Sequence, residues 1–260
     1  MICLSRIKKY FVLEENDQDD ITLAFKYGRS SAFAWVLIAL SAFAGVIAEV
    51  VPDLEHFHLM PALPWPDLIS ELGGQYIYYA AGTIFFFFWQ LSRWMPNRPR
   101  VKRRTGVIES LLAIVVITYV QGIVSNMADT LITKLHATSV SDTAESSVTF
   151  HGSAWHKFIS YVLNNWYEIP SEDVFRLSLF SLIFVALLWI KRPTLRYWLA
   201  FLLTSLLFGA WHFSSYSYHM TEVLVDVGLP TLLDGCLWLR TRNLWTFTAS
   251  HLLYDYSGNF

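Results

Sequence analysis

Apolar residues along this chain run in stretches of about 20, the length that crosses a bilayer, with shorter polar segments between them. Read this way, spans are predicted at about 31–51, 74–94, 106–127, 172–190, 196–213, 223–239 and from 244 to the C-terminus. The expected fold is therefore all-α, a polytopic integral membrane bundle of about seven spans, because a backbone in lipid must satisfy its own hydrogen bonds. The first span is expected to stop at Pro52, and the sixth to be broken by Gly228 and Pro230. Between the third and fourth spans lies a long polar insertion, 128–170, which ends in an amphipathic patch from Trp155 to Trp166. That patch predicts an interfacial helix, and an eighth, half-inserted helix within 147–166 fits the same sidedness. Residues 1–30 read as a cytoplasmic N-terminal tail, solvated or lying on the membrane surface, and 31–260 as a single membrane domain. No internal repeat is visible.

Composition agrees, with 54% hydrophobic and only 15% charged residues. A net charge of -2 gives no sign of a nucleic-acid partner, so the lipid bilayer is the expected environment. The placement of the positive charges is more informative. Alternating seven spans puts the basic clusters at 93–104, 191–196 and 240–242 on the N-terminal side, which predicts an internal N-terminus and an external C-terminus. Glu14, Glu15, Asp17, Asp19 and Asp20 precede the first span, so that span is expected to act as an uncleaved insertion signal. Cys3 and Cys236 predict neither a structural disulfide nor a metal site. His56 and His58 form an H-x-H pair in a loop without further ligands at metal-site spacing, and Glu49, His219 and Asp226 read as loop or span-end groups.

The chemistry concentrates at the mouth of the fourth span, where Pro170, Ser171, Glu172, Asp173 and Arg176 place charge beside lipid-buried residues. Ionisable groups there are costly and usually face a pathway, a partner or a reaction. The predicted topology brings Ser171 and Glu172, His212, and His251 with Asp255 to similar depth near the external face. Pairs four residues apart share a helix face: Glu172 with Arg176, Phe208 with His212, and His251 with Asp255. Three inward faces of this kind can form a water-accessible polar pocket capable of proton transfer. The simplest structural reading is a Glu172–Arg176 salt bridge with Asp255 as hydrogen-bond partner of His251. A metal site of His212, His251 and Asp255 also stays open on residue types alone.

Ser171-Glu172-x-x-x-Arg176, then Phe208-Gly209-Ala210-Trp211-His212, then His251-Leu252-Leu253-Tyr254-Asp255, resemble in order the motifs E-E-x-x-x-R, F-x-x-x-H and H-x-x-x-N/D. These are the motifs of the CPBP (CAAX protease and bacteriocin-processing) family of glutamic intramembrane proteases. The run from Gly235 through Thr241-Arg242-Asn243-Leu244-Trp245 is similar to that family's G-x-x-x-x-x-T-G-S-L-W segment, and the resemblance covers about 165–258. It implies a metal-independent endopeptidase with no cofactor. In such an enzyme the first glutamate and His212 activate a water, His251 and Asp255 stabilise the oxyanion, and Glu172 braces the helix through Arg176. With the predicted topology, which puts the site near the external face, it points to a membrane-anchored or exported peptide substrate at a bacterial inner (plasma) membrane.

Serine stands at 171, where the family has its catalytic glutamate, and Leu177 replaces the glycine that usually follows the arginine. Four explanations compete: Glu172 or Asp173 acts as base after a small helix rotation, Ser171 silences an otherwise active enzyme, the chain is a natural noncatalytic member, or Ser171 and His212 form a Ser-His pair. The alternative to proteolysis is a noncatalytic membrane module for binding, immunity or secretion. A small-solute transporter is a third class.

Overall fold

The computed structural model describes residues 7–13, 21–26, 29–30, 32–57, 79–87, 105–134 and 152–258. Cys3, His58 and the basic cluster at 93–104 lie outside the described residues. Among them the architecture is helical, with one departure from the all-α expectation: β1 (Phe25–Lys26) pairs antiparallel with β2 (Arg29–Ser30). The helices are α1 (Ala32–His56), α2 (79–87), α3 (Val107–Lys134), α4 (Ala154–Asn165), α5 (Glu168–Ala186) and α6 (Pro193–Trp211). They are followed by α7 (Met220–Glu222), a π-helical turn (Val223–Gly228), α8 (Leu229–Leu232), α9 (Asp234–Thr241) and α10 (Leu244–Gly258). Two stretches, Val107–Ala128 and Pro193–Trp211, are helices long and apolar enough to cross a membrane, and Ala32–Ile47 is a shorter apolar helix.

Helix α5 is the central element, packed against α1, α6 and α10, while α10 also lies along α3. It begins four residues earlier than the apolar run suggests. Pro170 falls in the first turn, where backbone N–H groups have no helical partner, so the missing donor costs nothing. Ser171 and Glu172 consequently sit inside the helix rather than at its mouth. Pro193 opens α6 for the same reason. The expected stop at Pro52 is also corrected, since α1 continues through it to His56. In α4 the hydroxyl of Ser153 caps the helix by accepting from the His156 N–H, and the amphipathic patch does form a helix.

The sixth apolar run is not one continuous helix but a chain of short pieces. Pro230 deprives the Asp226 carbonyl of its helical donor, and the Tyr254 hydroxyl donates to that carbonyl at 3.2 Å. The π turn sits directly before the proline, where a relaxed ladder accommodates the ring. Its close approach to α6 needs glycine, because a Cβ on Gly209 would lie 2.6 Å from the Val223 carbonyl oxygen. At the end of α9, Arg242 takes φ 48°, ψ 39°, and its N–H closes the helix on the Trp238 carbonyl. This left-handed position is the one held by the glycine of the T-G-S-L-W pattern.

The N-terminal segment departs most from expectation. Residues 1–30 were expected to be a solvated or interfacial tail, yet Ile21 and Leu23 are fully buried and join Phe180, Tyr197, Trp238 and Phe247 in one core. Polar contacts hold the segment in place. The indole N–H of Trp238 donates to Ile21 O, that of Trp198 to Phe11 O, and the Leu23 N–H to Ser181 Oγ. Nearby, Arg240 pairs with Glu109 at 2.8 Å, and the Tyr10 hydroxyl donates to the same carboxylate. Burial first, and then the Glu109 charge, raises the Tyr10 hydroxyl above its ordinary range and keeps it protonated.

Candidate active site

Consecutive residues on α5 point about 100° apart, so Ser171, Glu172 and Asp173 meet different neighbours. Ser171 faces α2. Its hydroxyl shares one proton between the carbonyls of Tyr167 (2.6 Å) and Tyr79 (2.9 Å) and lies 3.0 Å from Thr83 Oγ1. One turn on, Phe175 packs against Trp211 with the rings tilted by 38°, and the Trp211 indole N–H donates to Gly45 O. Both contacts fix the rotation of α5, and they hold the residue 171 side chain against α2.

That rotation brings Asp173 inward, and the expected Glu172–Arg176 brace is replaced. Arg176 instead pairs with Asp173 at 2.9 Å and with Asp234 of α9 at 3.0 Å. Its guanidinium lies 4.3 Å from the centre of the Phe247 ring and 5.1 Å from that of Phe208. A desolvated cation held by two carboxylates and two aromatic faces is strongly fixed. Asp234 is anchored in turn by Gln121 of α3, whose side-chain amide donates to Oδ1 at 3.0 Å and to Pro230 O at 3.2 Å.

His251 stands at the meeting point of the acids. Its Nδ1 is 3.0 Å from Asp173 Oδ1, while Nε2 is 3.3 Å from Asp255 Oδ2 and 3.8 Å from Glu172 Oε2. Carboxylates accept, so a doubly protonated ring satisfies both sides. Glu172 differs from Asp173 in access: its side chain is 12% exposed against 0%, and its distance to His251 leaves room for another group.

His212 closes α6 and joins this cluster only through an aromatic ring. Its Nδ1 donates to Phe208 O at 2.9 Å, which leaves the lone pair on Nε2. The Phe208 ring lies 4.7 Å from the His212 ring and 6.1 Å from that of His251. Among the described residues, His212 makes no hydrogen bond to Glu172 or His251. The structure thus brings together Glu172, Arg176, His251 and Asp255, places His212 beside them across Phe208, and engages the Ser171 hydroxyl with α2 and the Tyr167 carbonyl instead. For a metal, the donor set fits poorly: His251 spends both nitrogens on carboxylates, and among the described residues no three ligating side chains surround a common point.

Asp234 and Gln121 belong to this network but carried no motif. The available signal was physical, since each is a polar group inside an apolar run. Asp234 also sits one residue before the segment that begins at Gly235. His219 is on an exposed loop with Nδ1 facing Tyr216 O.

Residues 150–257 match the model of one protein family, described as Rce1-like, type II CAAX prenyl endopeptidase Rce1-like. No curated protein and no solved structure matches the chain.

Proposed function

Because residues 150–257 are a Rce1-like CAAX endopeptidase domain, of the CPBP family of membrane-embedded hydrolases, we propose that this chain hydrolyses a peptide bond at Glu172, His251 and Asp255. Glu172 takes the base role that residue 171 has in the family. The observation that carries this reading is the partly open Glu172 carboxylate 3.8 Å from His251 Nε2, beside an Asp173 closed off by Arg176.

The chemistry needs no metal. Glu172 accepts a proton from water as the oxygen attacks the scissile carbonyl, and His251, oriented through Nδ1 by Asp173, shares its Nε2–H between Asp255 and the oxyanion. Collapse breaks the C–N bond, and the proton on Glu172 passes to the leaving amine. His212, with its Nε2 lone pair, supplies a second acceptor that orients the water across Phe208.

The substrate is a membrane-anchored or exported peptide segment. The surrounding architecture is one membrane domain of about seven spans with the N-terminus inside and the cluster near the external face. A bacterial inner membrane suits that arrangement. The test uses the full-length protein in detergent or liposomes with membrane-anchored peptides. Cleavage that disappears in Glu172→Gln and His251→Ala and persists in chelator supports the proposal, whereas cleavage unaffected by Glu172→Gln removes it.

One observation favours a second reading, that of a noncatalytic binding module. The position of the family's base carries a fully buried serine engaged with α2. Peptide binding without hydrolysis under the same conditions would select it.

A further inference from the structure

An unbroken polar chain crosses four elements to reach His251. Gln121 Nε2 on α3 donates to Asp234 Oδ1 at 3.0 Å, and Asp234 Oδ2 pairs with Arg176 at 3.0 Å. The other terminal nitrogen of Arg176 reaches Asp173 Oδ1 at 2.9 Å, and this same oxygen takes His251 Nδ1 at 3.0 Å. Gln121, Asp234, Arg176 and Asp173 are all buried. Asp173 Oδ1 therefore serves two donors at once, and its hold on His251 depends on how much of Arg176 is neutralised elsewhere.

We propose that Asp234, held by Gln121, is a positioning residue: it draws Arg176 away from sole pairing with Asp173 and thereby frees the Asp173 carboxylate to orient His251. This rests on the reading of His251 as the oxyanion donor. Stability alone is a weak reason for such an arrangement, because replacing a buried ion-pair network with apolar side chains is often neutral or stabilising. Fixing the angle of a ring that acts on a transition state is a sufficient one, since a misplacement of about 1 Å at a reacting group can cost about 100-fold in rate. The chain also gives α3, which lies outside the matched residues 150–257, a part in the site.

The test compares Asp234→Asn and the milder Gln121→Met in the full-length protein. Asp234→Asn keeps the shape but removes the charge that engages Arg176; Gln121→Met removes the donor that holds Asp234. Two readouts are taken: kcat and KM for a membrane peptide, and the ring ¹⁵N spectrum of His251, assigned by its loss in His251→Gln. The expected result is a kcat lower by about tenfold or more in Asp234→Asn and by a smaller factor in Gln121→Met, with KM little changed. The His251 Nδ1–H signal is expected to shift in both. A His251 signal identical to wild type in both variants, or a loss confined to KM, overturns the proposal. Should Asp234→Asn fail to fold, Gln121→Met decides alone by the same criteria. Should the unaltered protein cleave no peptide, the proteolytic reading falls, while a shifted His251 signal still upholds the positioning chain.

Discussion

Ser171 is wedged against Gly82: a Cβ built on that glycine would lie 2.7 Å from both Cα and Cβ of Ser171. The position that carries the catalytic glutamate in the family is thus a packing position in this protein, filled by the small hydroxyl that two carbonyls can satisfy. Ser171→Ala is expected to cost about 1 kcal/mol through the lost hydrogen bonds and to leave peptide cleavage unchanged. Ser171→Glu is expected to lower stability by several kcal/mol, since it both overpacks the contact and buries an unpaired charge. Thermal unfolding in detergent and the cleavage assay check both; a Ser171→Glu protein that folds and cleaves faster would return residue 171 to the catalytic role.

Glu172 and Asp173 are adjacent acids with opposite expected phenotypes. Asp173 neutralises Arg176 and holds His251, so Asp173→Asn leaves a buried guanidinium with one partner fewer and should cost about 3–5 kcal/mol. Among the described residues Glu172 makes the long contact to His251 and no close ion pair, so the near-isosteric Glu172→Gln should cost no more than about 1 kcal/mol. Its cleavage rate should nevertheless fall by about 100-fold or more, the usual contribution of a positioned base. Unfolding midpoints set beside initial rates separate the two variants, and an active Glu172→Gln would move the base role elsewhere.

Why the sequence was readable in some places and not in others can be seen on α5 itself. The contact of His251 with Asp255 follows from their i, i+4 spacing, because one helix fixes both residues. The partner of Arg176 does not follow from spacing, because i+3 from Asp173 and i+4 from Glu172 reach equally well. Helix rotation decides between them. That rotation is set by Ser171 on Gly82 and by Phe175 on Trp211, which are contacts between distant segments. Asp234 was hidden for the same reason, since its two partners come from α3 and α5. Apolar runs marked most of the helices, but not the break at Leu233 or the burial of Ile21 and Leu23 in an acidic, aperiodic stretch.

Arg242 offers a backbone test. Its φ of 48° is a left-handed conformation that costs a residue with a Cβ about 1–2 kcal/mol relative to glycine. The side chain also contributes, as Nε donates to Leu239 O. Comparing Arg242→Gly with Arg242→Ala removes that side-chain term from the difference. The glycine variant should unfold later than the alanine variant by about 1 kcal/mol, and equal stabilities would mean that the left-handed turn is not kept in solution.

The N-terminal segment gives the sharpest contrast between a tail and a structural part. Leu23 is fully buried among core residues of α5, α9 and α10, and its N–H is tied to Ser181 Oγ. Truncating a buried leucine removes its transfer free energy and leaves a cavity, so Leu23→Ala should cost about 2–5 kcal/mol. A residue on a solvated tail would change stability by no more than about 0.5 kcal/mol. The change lies at the end of α5 that carries Ser181, about two and a half turns from Glu172, so residual activity per folded molecule should be preserved. Unfolding of Leu23→Ala in detergent, with cleavage normalised to the folded fraction, distinguishes the two cases. A midpoint equal to wild type would show that the segment does not pack in the membrane-embedded protein as it does here.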